Sequence, residues 1–422
     1  MQDVIHRDTC RLCGSKSLEL VLPILPTPIG DAFVPASRLD EKQGIYSLDT
    51  YLCRDCGHLQ SIDIVNPDIL FRDYTYKTSV SLGLVEHFQK YAANVVEKIA
   101  VPKGSLVVEI GSNDGSLLKA FKGHGLRVTG VDPARAIANA ATADGIPTLP
   151  EFFSSAIAEK IRQEHGPAAV LCANNVFAHI DDLSDIVVGI RKLLAPDGVF
   201  VFEVIYVLDM IDNMVFDTIY HEHLSHHALS PLEKFFNRFD MTLFDVEKTM
   251  SKGGSIRGFA QPLSTGKRAK TNRLLEMFAD EERRKIRESK IYRDFFAAIE
   301  QRKREVLRIV DGVIAEGGVV AAYGASTTTT TLLYHFELKD RIKFIVDDNK
   351  IKHGMFSPGA HIPVMPSSEL SVHKPDLVVI LAWTYADPII KRNQAYLEQG
   401  GRFLIPLPDV RTVTGPTQKS AP

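Results

Sequence analysis

The chain has 422 residues, 45% hydrophobic and 24% charged, with a formal net charge of −3. That length predicts about three domains with ordinary soluble cores, and the near-neutral balance supplies no basic field for nucleic acid. No apolar run approaches the ~18 residues of a membrane span, and the opening residues, with Asp3, His6, Arg7 and Asp8, lack the pattern of a secretory signal.

Residues 1–75 are proline-rich and irregular, with Cys10-x-x-Cys13 near one end and Cys53-x-x-Cys56 near the other. Two such knuckles separated by 39 residues fit a tetrahedral Zn(Cys)4 site. Gly14 and Gly57 each follow the second cysteine of a pair, where positive φ relieves the turn. Four protein ligands leave no open position, so the expected zinc is structural. It holds together a segment whose own core is too small. Free buried thiols do not explain the paired spacing, and a redox dithiol explains only one pair. His58 is a competing ligand. Cysteines grouped in this way point to a reducing compartment, the cytoplasm, rather than to disulfides. The fifth, Cys172, stands on a predicted core strand as a small hydrophobe.

A helix is expected from Ser81 to Ala100, leading into the most informative stretch. Leu106–Ile110 reads as a buried strand, Gly111-Ser112-Asn113-Asp114-Gly115 as a turn, Ser116–Lys122 as a helix, and Arg127–Val131 as a second strand ending on Asp132. Strand, glycine turn, helix, strand and acid make the layout of a nucleoside-cofactor site. Gly111 and Gly115 are expected to let backbone approach the ligand. Asp132, seventeen residues past Gly115, can accept hydrogen bonds from both ribose hydroxyls. The spacing is G-x-x-x-G, with no third glycine to seat a pyrophosphate, and Glu109 before it repels phosphate and suits a cation. S-adenosylmethionine is therefore favoured over NAD. A purely structural turn is the alternative.

The pattern continues with strands at Ala169–Ala173 and Val199–Val204 around a helix at Leu183–Leu194, then a helical segment Val207–Phe216. The charged stretch Arg268–Glu316 has a helical apolar period and reads as one or two long linking helices. From Gly318 the plan restarts, with a strand at Val319–Tyr323, a turn at Gly324-Ala325-Ser326, a helix at Thr327–Phe336 and a strand at Ile342–Val346 before Asp347-Asp348. Leu377–Leu381 and Arg402–Ile405 add strands. This is a second doubly wound domain related in plan to the first. Five consecutive threonines, Thr327–Thr331, are poor helix formers, so the start of that helix is ambiguous. The turn Gly324–Thr328 at a strand end is expected to contact an anion through backbone amides.

Tyr220-His221-Glu222-His223 is followed by His226 and His227. A zincin needs H-E-x-x-H, but Ser225 occupies the fourth position after His221, so that motif is absent. A tyrosine, a carboxylate and imidazoles on one turn suit proton abstraction: the imidazole as base, the phenol as donor to an enolate oxygen. Solvated loop histidines are the alternative.

Together these residues resemble the S-adenosylmethionine-dependent sugar C-methyltransferases, which act on nucleotide-linked keto-deoxysugars. The segments carrying the resemblance are the two cysteine pairs, Glu109–Gly115, Ala173–Ile180, Tyr220–Ser225, Gly253-Gly254-Ser255-Ile256-Arg257, and Val346–Asn349 with Pro358-Gly359. They run in family order over nearly the whole chain. The implied fold is α/β: a small N-terminal zinc-binding domain (1–75), a methyltransferase domain (76–267), and a helical linker with a C-terminal Rossmann-like substrate domain (268–422), the last two doubly wound. By the resemblance, Gly111, Asn113, Gly115 and Asp132 hold the cofactor, with Glu109 before the turn and Asn174 near the methionine end. Tyr76, His179, Tyr220, Glu222 and His223 surround the sugar carbon, His223 being the base and Glu222 its orienter. The zinc is structural, and the partner is a small-molecule keto-sugar nucleotide, with neither nucleic acid nor membrane. Three positions depart from the family pattern: Lys252 stands where histidine is usual, Thr328 in place of a lysine-glycine continuation, and Thr384 where histidine follows the tryptophan. The last two fall in the domain expected to hold the nucleotide. Rival readings are an epimerase, a methyltransferase with a non-nucleotide acceptor, an NAD-dependent oxidoreductase using the C-terminal domain, and a zinc-bearing module that binds a sugar nucleotide without turnover.

Overall fold

A computed structural model of the chain describes residues 3–72, 78 and 83–415. By contact the chain forms two compact units that cut across chain order. The first holds Met1–Glu19, Leu52–Leu208 and Leu224–Glu288; the second holds Leu20–Tyr51, Asp209–His223 and Ser289–Pro422. The first 75 residues are thus shared out. The cysteine knuckles belong to the first unit, and most of the segment between them belongs to the second.

The first unit is built on a seven-stranded sheet. Helix α1 (Leu84–Ile99) precedes β1 (Leu106–Ile110), α2 (Ser116–Gly123) and β2 (Arg127–Val131). Then come β3 (Thr148–Leu149), β4 (Ala168–Asn174), β5 (Leu194–Ile205), β6 (Met241–Thr249) and β7 (Ser255–Pro262). Their order is β6-β7-β5-β4-β1-β2-β3. Strands β1 to β5 pair in parallel, and β7 is antiparallel to both β5 and β6. All five residues of β1 are buried, which is why its sequence shows an apolar run instead of alternation. Helix α1 buries Phe88, Tyr91, Ala92, Val95 and Ile99, a stripe at helical spacing. These pack with Val107, Leu117, Leu118, Phe121 and Phe259 in one core. Cys172 lies in that core, paired across strands with Glu109.

The expected irregular N-terminal segment contains short strands. Val4–His6 pairs with Asp63–Val65, and a four-stranded sheet runs Ser225–His226, Leu59–Ser61, Thr50–Cys53, Leu18–Leu22. Strands of two to five residues carry too little alternation to be read beside proline and cysteine. The charged linker resolves into α3 (Asn272–Arg283) in the first unit and α4 (Ser289–Ala315) in the second.

The second unit repeats the plan with β8 (Val320–Tyr323), α5 (Thr327–His335), β9 (Ile345–Asp347), β10 (Val364–Pro366), β11 (Leu377–Ile380), β12 (Arg402–Ile405) and β13 (Arg411–Thr414). The order is β10-β9-β8-β11-β12-β13, parallel except for β13. The duplication extends to single bonds. Gly111 N donates to Val131 O at 2.8 Å, and Gly324 N to Val346 O at 2.9 Å. In the second unit Val34–Pro35 pairs with Met355–Phe356. Helix α5 forms despite its threonines because their hydroxyls find partners: Thr330 Oγ1 donates to Gly30 O at 2.8 Å and Thr331 Oγ1 to Ile219 O at 2.9 Å. The segment expected to be helical through Phe216 ends at Asp212 and resumes as a 3-10 turn at Phe216–Thr218. Met214, at φ 56°, breaks it. Among the described residues, no helix is long and apolar enough to cross a membrane.

Candidate active site

In the first unit the turn after β1 winds through positive φ at Gly111 (68°), Asn113 (50°) and Gly115 (72°). A Cβ on Gly111 would meet Val176 Cγ2 at 2.9 Å, and one on Gly115 would meet Ile146 Cγ2 at 2.8 Å. Both glycines are therefore required by backbone conformation and by the chain's own packing. The Asn113 side chain accepts from Thr78 N at 2.9 Å. Asp132 braces the turn: Oδ2 accepts from Asn113 N at 2.8 Å and Oδ1 from Ala134 N at 2.9 Å. Burial raises its pKa against these two bonds. Each carboxylate oxygen keeps a further lone pair for a hydroxyl donor.

Glu109, at the end of β1, is buried, and its pKa is pushed well up, first by burial and then by the charges of Asp132 and Asp114. Among the described residues its Oε2 and the amide oxygen and nitrogen of buried Asn174 make no well-formed hydrogen bond, although Asn174 is near enough to Glu109 to pull against the rise. Buried polar atoms are ordinarily paired, so these atoms have capacity left for a polar ligand. An acceptor-rich pocket beside a ribose-type acid fits S-adenosylmethionine, which brings an ammonium, a sulfonium and two ribose hydroxyls. Glu109, Gly111, Asn113, Gly115, Asp132 and Asn174 would hold it. His179, on the 3-10 turn Phe177–His179, is also in this unit. Its pKa falls to about 3, first by burial and then through Lys252, so the ring is neutral. It stacks on Phe71, with centroids 5.7 Å apart. Tyr76 lies outside the described residues.

The sulfurs of Cys10, Cys13, Cys53 and Cys56 lie within 4.8 Å of one another. Cys10–Cys56 is 3.6 Å and Cys13–Cys53 3.5 Å. A zinc tetrahedron with Zn–S near 2.3 Å places sulfurs about 3.8 Å apart, so the cluster fits the ion. Gly14 (φ 78°) and Gly57 (φ 86°) close the knuckles, donating to Cys10 O and Cys53 O at 2.9 Å each. His58 is not part of the set; its Nε2 faces Ser225 Oγ at 3.1 Å.

In the second unit the residues Tyr220, His221, Glu222 and His223 are all buried, so the solvated-loop alternative does not hold. His223 Nδ1 lies 2.6 Å from Thr218 O. A carbonyl only accepts, so Nδ1 carries a proton, and in the neutral form of the ring Nε2 offers its lone pair. The Tyr220 hydroxyl donates to that Nε2 at 3.0 Å. The Thr218 carbonyl thus orients the ring at Nδ1, and Glu222, expected from sequence to orient it, is buried on the same turn. His221 Nε2 lies 3.3 Å from Tyr46 O, and burial takes its pKa down to about 4.

The anion-binding role expected of Gly324–Thr328 meets an obstacle that sequence reading missed. Asp217 is buried with a pKa raised to about 7, first by burial, against hydrogen bonds from Trp383 and Thr328. The Trp383 indole donates to Asp217 Oδ2 at 2.9 Å. A carboxyl therefore already stands at the head of α5, where a phosphate was expected. Nothing local marks Asp217 in the sequence, because its partners lie more than a hundred residues away. A second missed group is Glu203, buried on β5, bonded to Arg257 at 2.9 Å and 3.2 Å from His87. Arg257 belonged to a motif that had no assigned role.

Comparison with known proteins adds three family matches along the chain: a zinc binding domain over 10–71, a methyltransferase domain over 84–246, and a C-methyltransferase C-terminal domain over 250–408. The C-methyltransferase NovU of Streptomyces niveus is 36% identical over 416 residues, 98% of this chain and 99% of that protein. The chain belongs to the C-methyltransferase family. Membership makes it an enzyme that transfers a methyl group to carbon and removes the NAD oxidoreductase and non-catalytic readings. Solved structures similar to this family member include the magnesium protoporphyrin IX methyltransferase of Synechocystis PCC 6803 with bound S-adenosylhomocysteine. It is 15% identical over 42% of this chain and 83% of its own, with a TM-score of 0.34. Another is the 1,6-didemethyltoxoflavin-N1-methyltransferase of Burkholderia thailandensis, 16% identical over 42% of this chain and 77% of its own, with a TM-score of 0.32.

Proposed function

We propose that this C-methyltransferase uses S-adenosylmethionine to methylate the carbon α to the ketone of a nucleotide-linked keto-deoxysugar, with His223 as the base. The observation that carries the reading is the His223 ring held between the Thr218 carbonyl at Nδ1 and the Tyr220 hydroxyl at Nε2. Carbon is a nucleophile only after losing a proton, and a buried imidazole with its lone pair held toward a phenol is a proton acceptor. The α proton passes to the Tyr220 oxygen as the phenol gives its own proton to His223 Nε2. The C–H electron pair becomes the enolate, and the neutral His179 keeps its proposed role as a donor toward the substrate. Bound S-adenosylmethionine supplies the electrophilic methyl group. The chain's own contribution is to hold the reacting groups in place and to accept the proton. Glu222 and Tyr76 line the same substrate in this reading. The sugar-bearing ligand is taken by the domain spanning 268–422, and the zinc domain spans 1–75. Grouped cysteines suit a reducing cytoplasm, where we place the enzyme.

The test is incubation with S-adenosylmethionine and a panel of keto-sugar nucleotides, read by mass. A gain of one methyl, slowed about 10²–10⁴-fold in His223→Ala, supports the reading; near-normal turnover of that variant removes His223 from the base role. Tyr220→Phe should be nearly as slow if the phenol relays the proton. A keto acceptor without a nucleotide is the second reading, favoured by the Asp217 carboxyl beside Thr328.

A further inference from the structure

Four consecutive residues before the base each have a separate anchor within the second unit. The Phe216 ring stacks on Phe336, with centroids 5.4 Å apart and planes 20° apart. Asp217 Oδ2 accepts from Trp383 Nε1 at 2.9 Å. The Thr218 carbonyl accepts from His223 Nδ1 at 2.6 Å. Ile219 O accepts from Thr331 Oγ1 at 2.9 Å. Residues 216–219 are all buried. A single 3-10 turn has poor internal hydrogen bonding and little rigidity of its own. Beside its local bonds, Thr218 Oγ1 to Val215 O at 2.7 Å and Ile219 N to Phe216 O at 2.9 Å, the turn is held by the long-range contacts of Phe216, Asp217 and Ile219. Two of them, at residues 217 and 219, bracket the one carbonyl that decides which nitrogen of His223 carries the proton.

We propose that Asp217, Trp383 and Thr331 are positioning residues for catalysis. By pinning the peptides on either side of Thr218 they aim its carbonyl at Nδ1, and so keep Nε2 as the accepting nitrogen. Trp383 comes from the turn after β11 and Thr331 from the middle of α5. The C-terminal domain thus does more than bind: it tunes the base. This also gives the threonine run a purpose. Thr329 serves the capping box with Ser326, while Thr330 and Thr331 reach out to Gly30 and Ile219.

The proposal rests on His223 being the base, and its test separates the two. Two variants of the full-length protein remove one anchor each: Thr331→Val deletes a hydroxyl at nearly constant shape, and Trp383→Phe deletes the indole donor. The first readout is the nitrogen-15 spectrum of the His223 ring, assigned by its loss in His223→Gln. The second is turnover of the sugar nucleotide methylated in the panel above. The wild type should show an Nδ1-protonated ring. Both variants should shift the ring toward a tautomer mixture and lower kcat by roughly 10- to 100-fold, with S-adenosylhomocysteine affinity unchanged. Thr331→Ser, which keeps the hydroxyl, should restore both. An unchanged tautomer in both variants overturns the proposal. So does a lower kcat that is accompanied by weakened cofactor affinity and a lower Tm with the tautomer intact, which is a merely structural effect. If His223→Ala keeps its turnover, the base assignment fails, and the ring spectrum still decides whether the anchors set the tautomer.

Discussion

Two buried carboxyls, Asp132 and Asp217, illustrate how environment divides labour among identical side chains. Asp132 takes two backbone N–H bonds and keeps lone pairs for a ligand. Asp132→Ala should weaken S-adenosylhomocysteine binding by about 1.5–3 kcal/mol, as for loss of a charged hydrogen bond, and calorimetry measures this directly. Unchanged affinity would mean that the ribose is held elsewhere. Among the described residues no cation favours ionisation of Asp217, and its pKa is raised from 3.8 to about 7, first by burial. A folded pKa above the unfolded one means that the native state prefers the protonated acid. The stability gained is complete below about pH 4 and is lost as pH rises through 7. Trp383 is the sole tryptophan in the chain and touches this carboxyl. Its fluorescence should change with a midpoint near pH 7, and Asp217→Asn should abolish the transition. That variant should also flatten the fall in Tm between pH 5 and pH 8. A wild-type fluorescence that stays flat across this range would show that Asp217 does not titrate there.

At the scale of elements, the two cysteine knuckles are the simplest case of a structure set by a few residues. Elemental analysis should find one zinc per chain. Cys53→Ser should release it and loosen the strands Thr50–Cys53 and Leu59–Ser61, while cofactor affinity, which we propose the β1–β2 turn carries, should hold nearly constant. The knuckles, the β1–turn–α2–β2 unit and its copy at β8–β9 were legible in the sequence because their signals are local: paired cysteines, runs of apolar residues, glycines at positive φ, and a terminal acid. The hairpin β6–β7 was not, because Arg257, Gly258 and Gln261 interrupt any alternation along β7 although all are buried. The orientation of His223, the proposed base, was half legible. Tyr220 and His223 stand three residues apart, which brings them together on one turn. A carboxylate next to a histidine draws attention as its orienter, whereas a backbone carbonyl such as that of Thr218 carries no signature in the sequence. The same blindness covers helix α5, whose threonines read as poor formers until their distant acceptors, Gly30 and Ile219, are in view.

On the scale of the whole molecule, the two units are interleaved along the chain, which crosses between them at residues 19/20, 51/52, 208/209, 223/224 and 288/289. Each unit draws on the first 75 residues. The first takes the knuckles, and the second takes the strand Val34–Pro35, the Asp31 partner of Lys352 and the Gly30 acceptor of Thr330. The segment Asp209–His223, which carries the proposed base, is itself an excursion of the chain into the second unit. Such long sequence separations couple the folding of distant segments and slow it. They also mean that the zinc segment cannot be removed as a free module. A fragment spanning residues 76–422 should therefore lose stability in both units at once. Two probes separate them: stabilisation by S-adenosylhomocysteine reports the first unit, and Trp383 fluorescence reports the second. The fragment should melt lower than the full chain by both probes, because Met355–Phe356 would lose its partner Val34–Pro35 and Ser225–His226 would lose its partner Leu59–Ser61. If the fragment instead retained the full-length melting temperature by tryptophan fluorescence, the second unit would not depend on the segment between the knuckles. Its contacts with residues 20–51 would then contribute little, and the chain would behave as separable domains in sequence order.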